Sequence, residues 1–113
     1  MLRPTGWWVA VAPVDLRCGM GRLLVAVQAQ LHRDGFDGAA YVFRNRSGSR
    51  IKIVCADAQG VWLCVRRLHR GSFVWPRVDE AVCVLSAEQF DWLVAGVDWR
   101  LLSARIEEVP RVM

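Results

Sequence analysis

Arg44, Arg46, Arg50, Lys52, Arg66, Arg67, Arg70 and Arg77 all lie between Gly38 and Val78, a segment with one acid, Asp57. Eight bases against one acid give this segment a formal charge of +7, whereas the rest of the chain, with seven bases and ten acids, stands at −3. The overall +4 therefore hides a strong asymmetry. A guanidinium presents paired N–H donors in one plane and stays charged at every relevant pH, which suits it to phosphate. Arg44, Arg46 and Arg50 surround one turn, with Lys52 on the strand leaving it. Arg66, Arg67 and Arg70 surround the end of a later strand. These seven form the candidate nucleic-acid-binding set. Tyr41, Trp62, Phe73 and Trp75 are interleaved with them and offer stacking surfaces for bases. Composition fits a blander reading equally well: a solvated hairpin edge, charged against unwanted sheet pairing, over core aromatics. Arg outnumbers Lys fourteen to one, a bias that a G+C-rich genome produces by itself, so placement carries more than abundance.

Other chemistry is poorly supplied. Metal-dependent phosphoryl transfer needs several carboxylates converging on a divalent ion. Only Asp15, Asp57 and Asp98 stand beside strand-like segments, and Asp57 sits where a turn takes aspartate. Cys18, Cys55, Cys64 and Cys83 contain no C-x-x-C pair, and His32 and His69 complete no zinc spacing. The thiols read as reduced, with three of them in apolar strand patterns. Gly19-Met20-Gly21 lacks the third glycine of a dinucleotide loop, and there is no G-x-S-x-G elbow or Walker loop. No metal, cofactor or catalytic residue is implied.

The elements that must position the basic set follow from hydropathic period. At 113 residues, 54% apolar and 23% charged, the chain suits one domain spanning 1–113. No apolar run nears the roughly 20 residues of a membrane span. Trp7 to Ala12, stopped by Pro13, reads as a strand rather than a secretory leader, so a cytoplasmic location is expected. Met20, Leu23, Leu24, Val27 and Leu31 trace one helical face from near Gly19 to Gly35. Residues 40–44, 50–55 and 61–68 then alternate as strands joined by polar turns, followed by a short 72–76 segment and a strand at 81–85. Ser86 with Gln89 is a capping box for a second helix buried through Phe90, Leu93, Val94 and Val97. The predicted class is α+β: an antiparallel meander of about five strands with two helices packed on one side. The tail, 104–113, is expected to be flexible. Six tryptophans spread over every element favour packing and suit a homo-oligomer interface, with Trp8 and Trp92 expected as the exposed members.

Several blocks, in this order, carry a family resemblance: Asp15-Leu16-Arg17, Tyr41-Val42-Phe43-Arg44-Asn45-Arg46, Ile51-Lys52-Ile53, Asp57-Ala58-Gln59-Gly60, Arg67 to Pro76, and Gly96-Val97-Asp98-Trp99. Over roughly residues 7–100 the chain resembles the TnpB, or Orf-two-like, accessory protein of insertion-sequence family sixty-six, most specifically in Arg67 to Pro76. It departs where the family has Asp-Gly-Leu, here Gly21-Arg22-Leu23, and where an aromatic precedes the turn aspartate, here Ala56. The resemblance implies a bacterial accessory factor for DNA transposition, encoded beside a separate transposase that holds the catalytic acids. DNA and the transposase are the implied partners. The alternative is an adaptor that contacts the transposase without binding DNA directly.

Overall fold

The computed structural model describes residues 2–77 and 79–101. Chain order is β1 (Trp7–Ala10), α1 (Met20–Leu31), β2 (Ala40–Arg44), β3 (Arg50–Ala56), β4 (Val61–Arg67), β5 (Val82–Leu85) and α2 (Ala87–Val94). The strands form one sheet in the order β4-β3-β2-β1-β5. β2, β3 and β4 pair antiparallel as consecutive neighbours. The sheet as a whole is mixed, which corrects the expected antiparallel meander. β1 lies parallel to β2, with Trp7 beside Ala40, and antiparallel to β5. The cause is α1: a helix between two strands gives the chain length that a parallel crossover requires.

The helices do not share a face. Val9, Val42, Ile51 and Ile53 pack with Phe90 and Leu93 of α2, while Ala10, Tyr41, Phe43 and Val54 pack with Leu23, Val27 and Leu31 of α1. Successive strand residues point to opposite sides, so the two helices cover opposite faces of the sheet. The reason is written in β2 and β3. Ala40–Phe43 and Ile53–Ala56 are buried at every position, as strands covered on both sides must be.

Residues 72–76 form no strand. They strap the α2 face, held by the Trp75 indole N–H donating to Ala10 O (2.8 Å) and the Trp99 indole N–H donating to Val74 O (2.7 Å). The capping box is present as read: the Ser86 side chain accepts from Gln89 N–H, and the Gln89 side chain accepts from Ser86 N–H. α1 stops earlier than Gly35, at Leu31, because His32 takes the left-handed conformation (φ 55°) and donates its N–H to Val27 O. The 104–113 tail lies outside the described residues.

Candidate nucleic-acid interface

Strand direction decides where the basic residues gather. β2 ends, β3 begins and β4 ends on the same side of the sheet, so the 45–49 turn meets the 68–73 segment. Leu68 N–H donates to Ser49 O (2.9 Å) and Phe73 N–H donates to Gly48 O (2.8 Å). Gly48 has φ +73° and stands close to Ser72, which suits the one residue without a side chain. Because β1 runs parallel to β2, the 11–17 loop reaches the same end, where Val14 N–H donates to Arg44 O (2.9 Å).

The seven predicted residues divide by what they touch. Arg44 donates to Val11 O through Nε (3.3 Å) and Nη2 (3.2 Å), with its guanidinium 5.8 Å from the Trp75 ring centroid. Burial lowers its pKa from the usual arginine value. Lys52 Nζ donates to Cys18 O (3.0 Å), tying β3 to the start of α1. Arg66 Nε donates to Val94 O at the C-terminus of α2, where a cation also suits the helix dipole. These three stitch the fold. Arg46, Arg50, Arg67 and Arg70 have no side-chain hydrogen bond or ion pair among the described residues, and only Arg50 is partly buried. The seven do not form one flat face. Arg44 and Arg66 lie on the α2 side, Arg50, Lys52 and Arg67 on the α1 side, and Arg46 and Arg70 in the turns that join the sides.

Arg50 stands directly opposite Arg67 in the β3–β4 ladder. The bonds from Leu68 N–H to Ser49 O and from Asp57 N–H to Gly60 O fix the alternation of this ladder. They make Arg50–Arg67 a non-hydrogen-bonded pair, the kind in which side chains come closest. Like charges directly opposite destabilise a sheet. Neither arginine meets an acid among the described residues.

Around the corner, Arg44, Arg77 and Arg100 line a cleft of about 370 Å³ with Ser47, Gly48 and Ser72. Arg77 belonged to the basic segment but not to the predicted set, and Arg100 was missed. Its signal was present: Asp15-Leu16-Arg17 and Asp98-Trp99-Arg100 share a spacing. In both, the Arg N–H and guanidinium donate to the aspartate two residues earlier, while the middle residue, Leu16 or Trp99, is buried. The Arg17 guanidinium, then its N–H, holds the Asp15 carboxyl down at about 2. Asp98 is lowered in the same way by Arg100.

The aromatics depart from expectation. Tyr41, Phe73 and Trp75 are buried and offer no stacking face. Trp62 is the exposed tryptophan (51%), and it lies toward the other end of β4. Trp8 is half-buried beneath Arg33, whose guanidinium sits 3.6 Å from its ring centroid, and Trp92 is also half-buried. Asp15, Asp57 and Asp98 do not converge. Asp57 accepts from Gln59 and Gly60 N–H in its turn, and no cluster of three metal-ligating side chains occurs among the described residues. All four cysteines are free thiols, and burial raises Cys55 and Cys83. No helix among the described residues is long and apolar enough to cross a membrane.

Residues 5–104 match the model of the family described as IS66 Orf2 like protein. The chain belongs to this family. As an IS66 Orf2-like protein it is placed among the accessory proteins of an insertion sequence. It is 42% identical over 93 residues to the uncharacterized protein y4hO of Sinorhizobium fredii, covering 82% of this chain and 81% of that protein. It is 37% identical over 91 residues to y4jC, also uncharacterized and from the same organism, covering 80% and 78%. No solved structure matches. In this IS66 Orf2-like chain, the block from Arg67 to Pro76 runs from the last residue of β4 through a turn into the 72–76 strap at the basic end of the sheet.

Proposed function

We propose that this protein is a non-catalytic accessory factor for transposition, acting in the cytoplasm, whose basic sheet end grips the DNA backbone. The observation that carries this reading is the Arg50–Arg67 pair, two cations held face to face without an acid among the described residues. A phosphate between them would turn a repulsion into two charge-assisted hydrogen bonds. Arg46 and Arg70 extend the contact along a strand of DNA. Around the corner, Arg77 receives a further phosphate in the cleft that it lines with Arg44 and Arg100, both of which already hold internal partners. Arg44, Lys52 and Arg66 contribute field and rigidity more than contacts, since backbone carbonyls already hold them. No exposed aromatic stands among these groups, so binding is electrostatic and blind to sequence. The transposase of the same element is the second partner.

The test is a titration of two unrelated DNA duplexes with the purified protein, read by fluorescence anisotropy. Four phosphate contacts predict about a hundredfold weaker binding between 50 and 200 mM salt, alike for both duplexes. Absent or salt-insensitive binding overturns the reading. Recovery of the protein with its transposase from nuclease-treated lysate, with no binding to free DNA, would instead establish the adaptor role.

A further inference from the structure

β4 is an edge strand, and its outer side is open. The alternation of the β3–β4 ladder directs the N–H and C=O groups of Val61, Leu63, Val65 and Arg67 away from β3. The same four side chains project on the α1 face, and three of them are exposed hydrophobes: Val61 (37%), Leu63 (43%) and Val65 (56%). On the α2 face the strand shows Trp62, Cys64 and Arg66. Proteins shield such edges with a central charge, a proline, a bulge or a short strand. β4 runs seven residues, and Val61–Val65 has no charge and no proline. The opposite edge is managed differently. β5 has four residues, with Asp79 and Glu80 just ahead of it.

We propose that β4 pairs with β4 of a second copy, antiparallel about a two-fold axis through Cys64, making one continuous sheet across a homodimer. The sequence of the strand selects this occupant because it complements itself. Centred on Cys64, the register sets Leu63 against Val65 of the second copy and Val65 against Leu63, so the exposed hydrophobes cover one another. It sets Val61 against Arg67, so no like charges face across the new seam. On the α2 face it sets Trp62 against Arg66, an aromatic ring beside a guanidinium. Beyond the strand ends, the same register carries the Asp57 turn of one copy toward Arg70 of the other. Every outward backbone group from Val61 to Arg67 gains a partner, as isologous closure requires. The proposal is independent of DNA binding.

Cys64 gives a direct reading. In this register the two Cys64 residues face each other as a non-hydrogen-bonded pair, with Cα atoms about 4.5 Å apart, within disulfide reach. Diamide accepts two electrons and two protons from the two thiols, leaving an S–S bond and the reduced hydrazine. The experiment treats purified full-length protein with diamide, resolves it on a non-reducing gel, and measures its mass by light scattering without oxidant. The expected results are a dimer by mass and a covalent dimer on the gel. Cys64→Ser abolishes the covalent dimer and leaves the mass unchanged. Val65→Lys, at an exposed position, weakens dimerisation at least tenfold while the circular dichroism of the monomer is retained. A wild-type monomer at tens of micromolar, or a covalent dimer that survives Cys64→Ser, overturns the proposal. So does a dimer indifferent to Val65→Lys.

Discussion

The two ends of the sheet carry opposite charge and use it in opposite ways. At the end where β2 begins and β3 finishes, every aspartate is occupied. Asp37 accepts from Tyr41 Oη–H (2.7 Å), Ala39 N–H (3.0 Å) and the Arg33 guanidinium (2.9 Å). Asp34 accepts from Phe36 N–H, and Asp57 accepts from Gln59 and Gly60 N–H. These acids hold loops in shape. At the other end Arg46, Arg50, Arg67 and Arg70 hold nothing among the described residues, and two of them oppose each other across a ladder. Charge with an internal partner explains itself through the fold. Charge that costs stability and has no such partner is what supports the proposed contact with a ligand outside the chain. The contrast separates partnered from unpartnered charge, which the count of arginines does not.

Removing a charge should therefore have opposite signs at the two ends. The largest effect on stability is expected at Asp37. Asp37→Ala removes the short acceptor of the buried Tyr41 hydroxyl, leaving it Asp34 O at 3.4 Å, and removes the carboxylate partner of Arg33, which keeps its bond to Tyr41 Oη. The change should cost about 2–3 kcal/mol in urea denaturation. DNA affinity of the folded protein should not change. A loss of DNA binding without a loss of stability would break the comparison.

A pH titration probes the same end without mutation. Burial, then the hydrogen bond to Asp37, pushes the Tyr41 phenol from 10.0 to about 12. The unfolded chain ionises that phenol near 10, so its contribution to stability is complete below about pH 10 and is lost between about 10 and 12. The melting temperature should fall across that window in wild type. In Tyr41→Phe the fall should be smaller, and an equal fall would assign the alkaline transition to other groups.

The smallest stability effect is expected at the basic end, with reversed sign. Arg67→Gln relieves the face-to-face pair and should stabilise the free protein by about 0.2–1 kcal/mol. The same change should weaken DNA binding several-fold. Denaturation and binding measured on one preparation check both signs, and destabilisation would show that Arg67 has a structural partner after all.

Local features were legible in the sequence. The Ser86–Gln89 box, the buried stripe of Leu23, Val27 and Leu31, and the Asp57 turn each depend on residues within a few positions of one another. Pairing direction was not legible. Nothing in Trp7–Ala10 states that it will lie parallel to β2, since that follows from where α1 docks. The unbroken apolar run Ala40–Phe43 signals a strand covered on both faces, which strand propensity alone does not distinguish. The basic set was visible as a cluster in sequence, but its division into stitching and unpartnered arginines was not. Arg44 meets Val11 O and Arg66 meets Val94 O across 33 and 28 positions. Trp75 shows the same limit, with an indole that reaches Ala10 O across 65 positions and buries an aromatic expected to stack on bases.

The central claim is that the arginines at the ladder end bind phosphate directly. The most direct measurement compares the salt dependence of DNA binding by wild type and by the Arg50→Gln/Arg67→Gln double variant. Each phosphate neutralised contributes about 0.9 to the slope of log K against log salt, and the pair shares one phosphate, so its loss should flatten the slope by about 0.9. Affinity at 50 mM salt should fall with it, equally for unrelated duplexes. An unchanged slope with unchanged affinity would contradict the account and return the pair to being only a repulsion on an exposed edge.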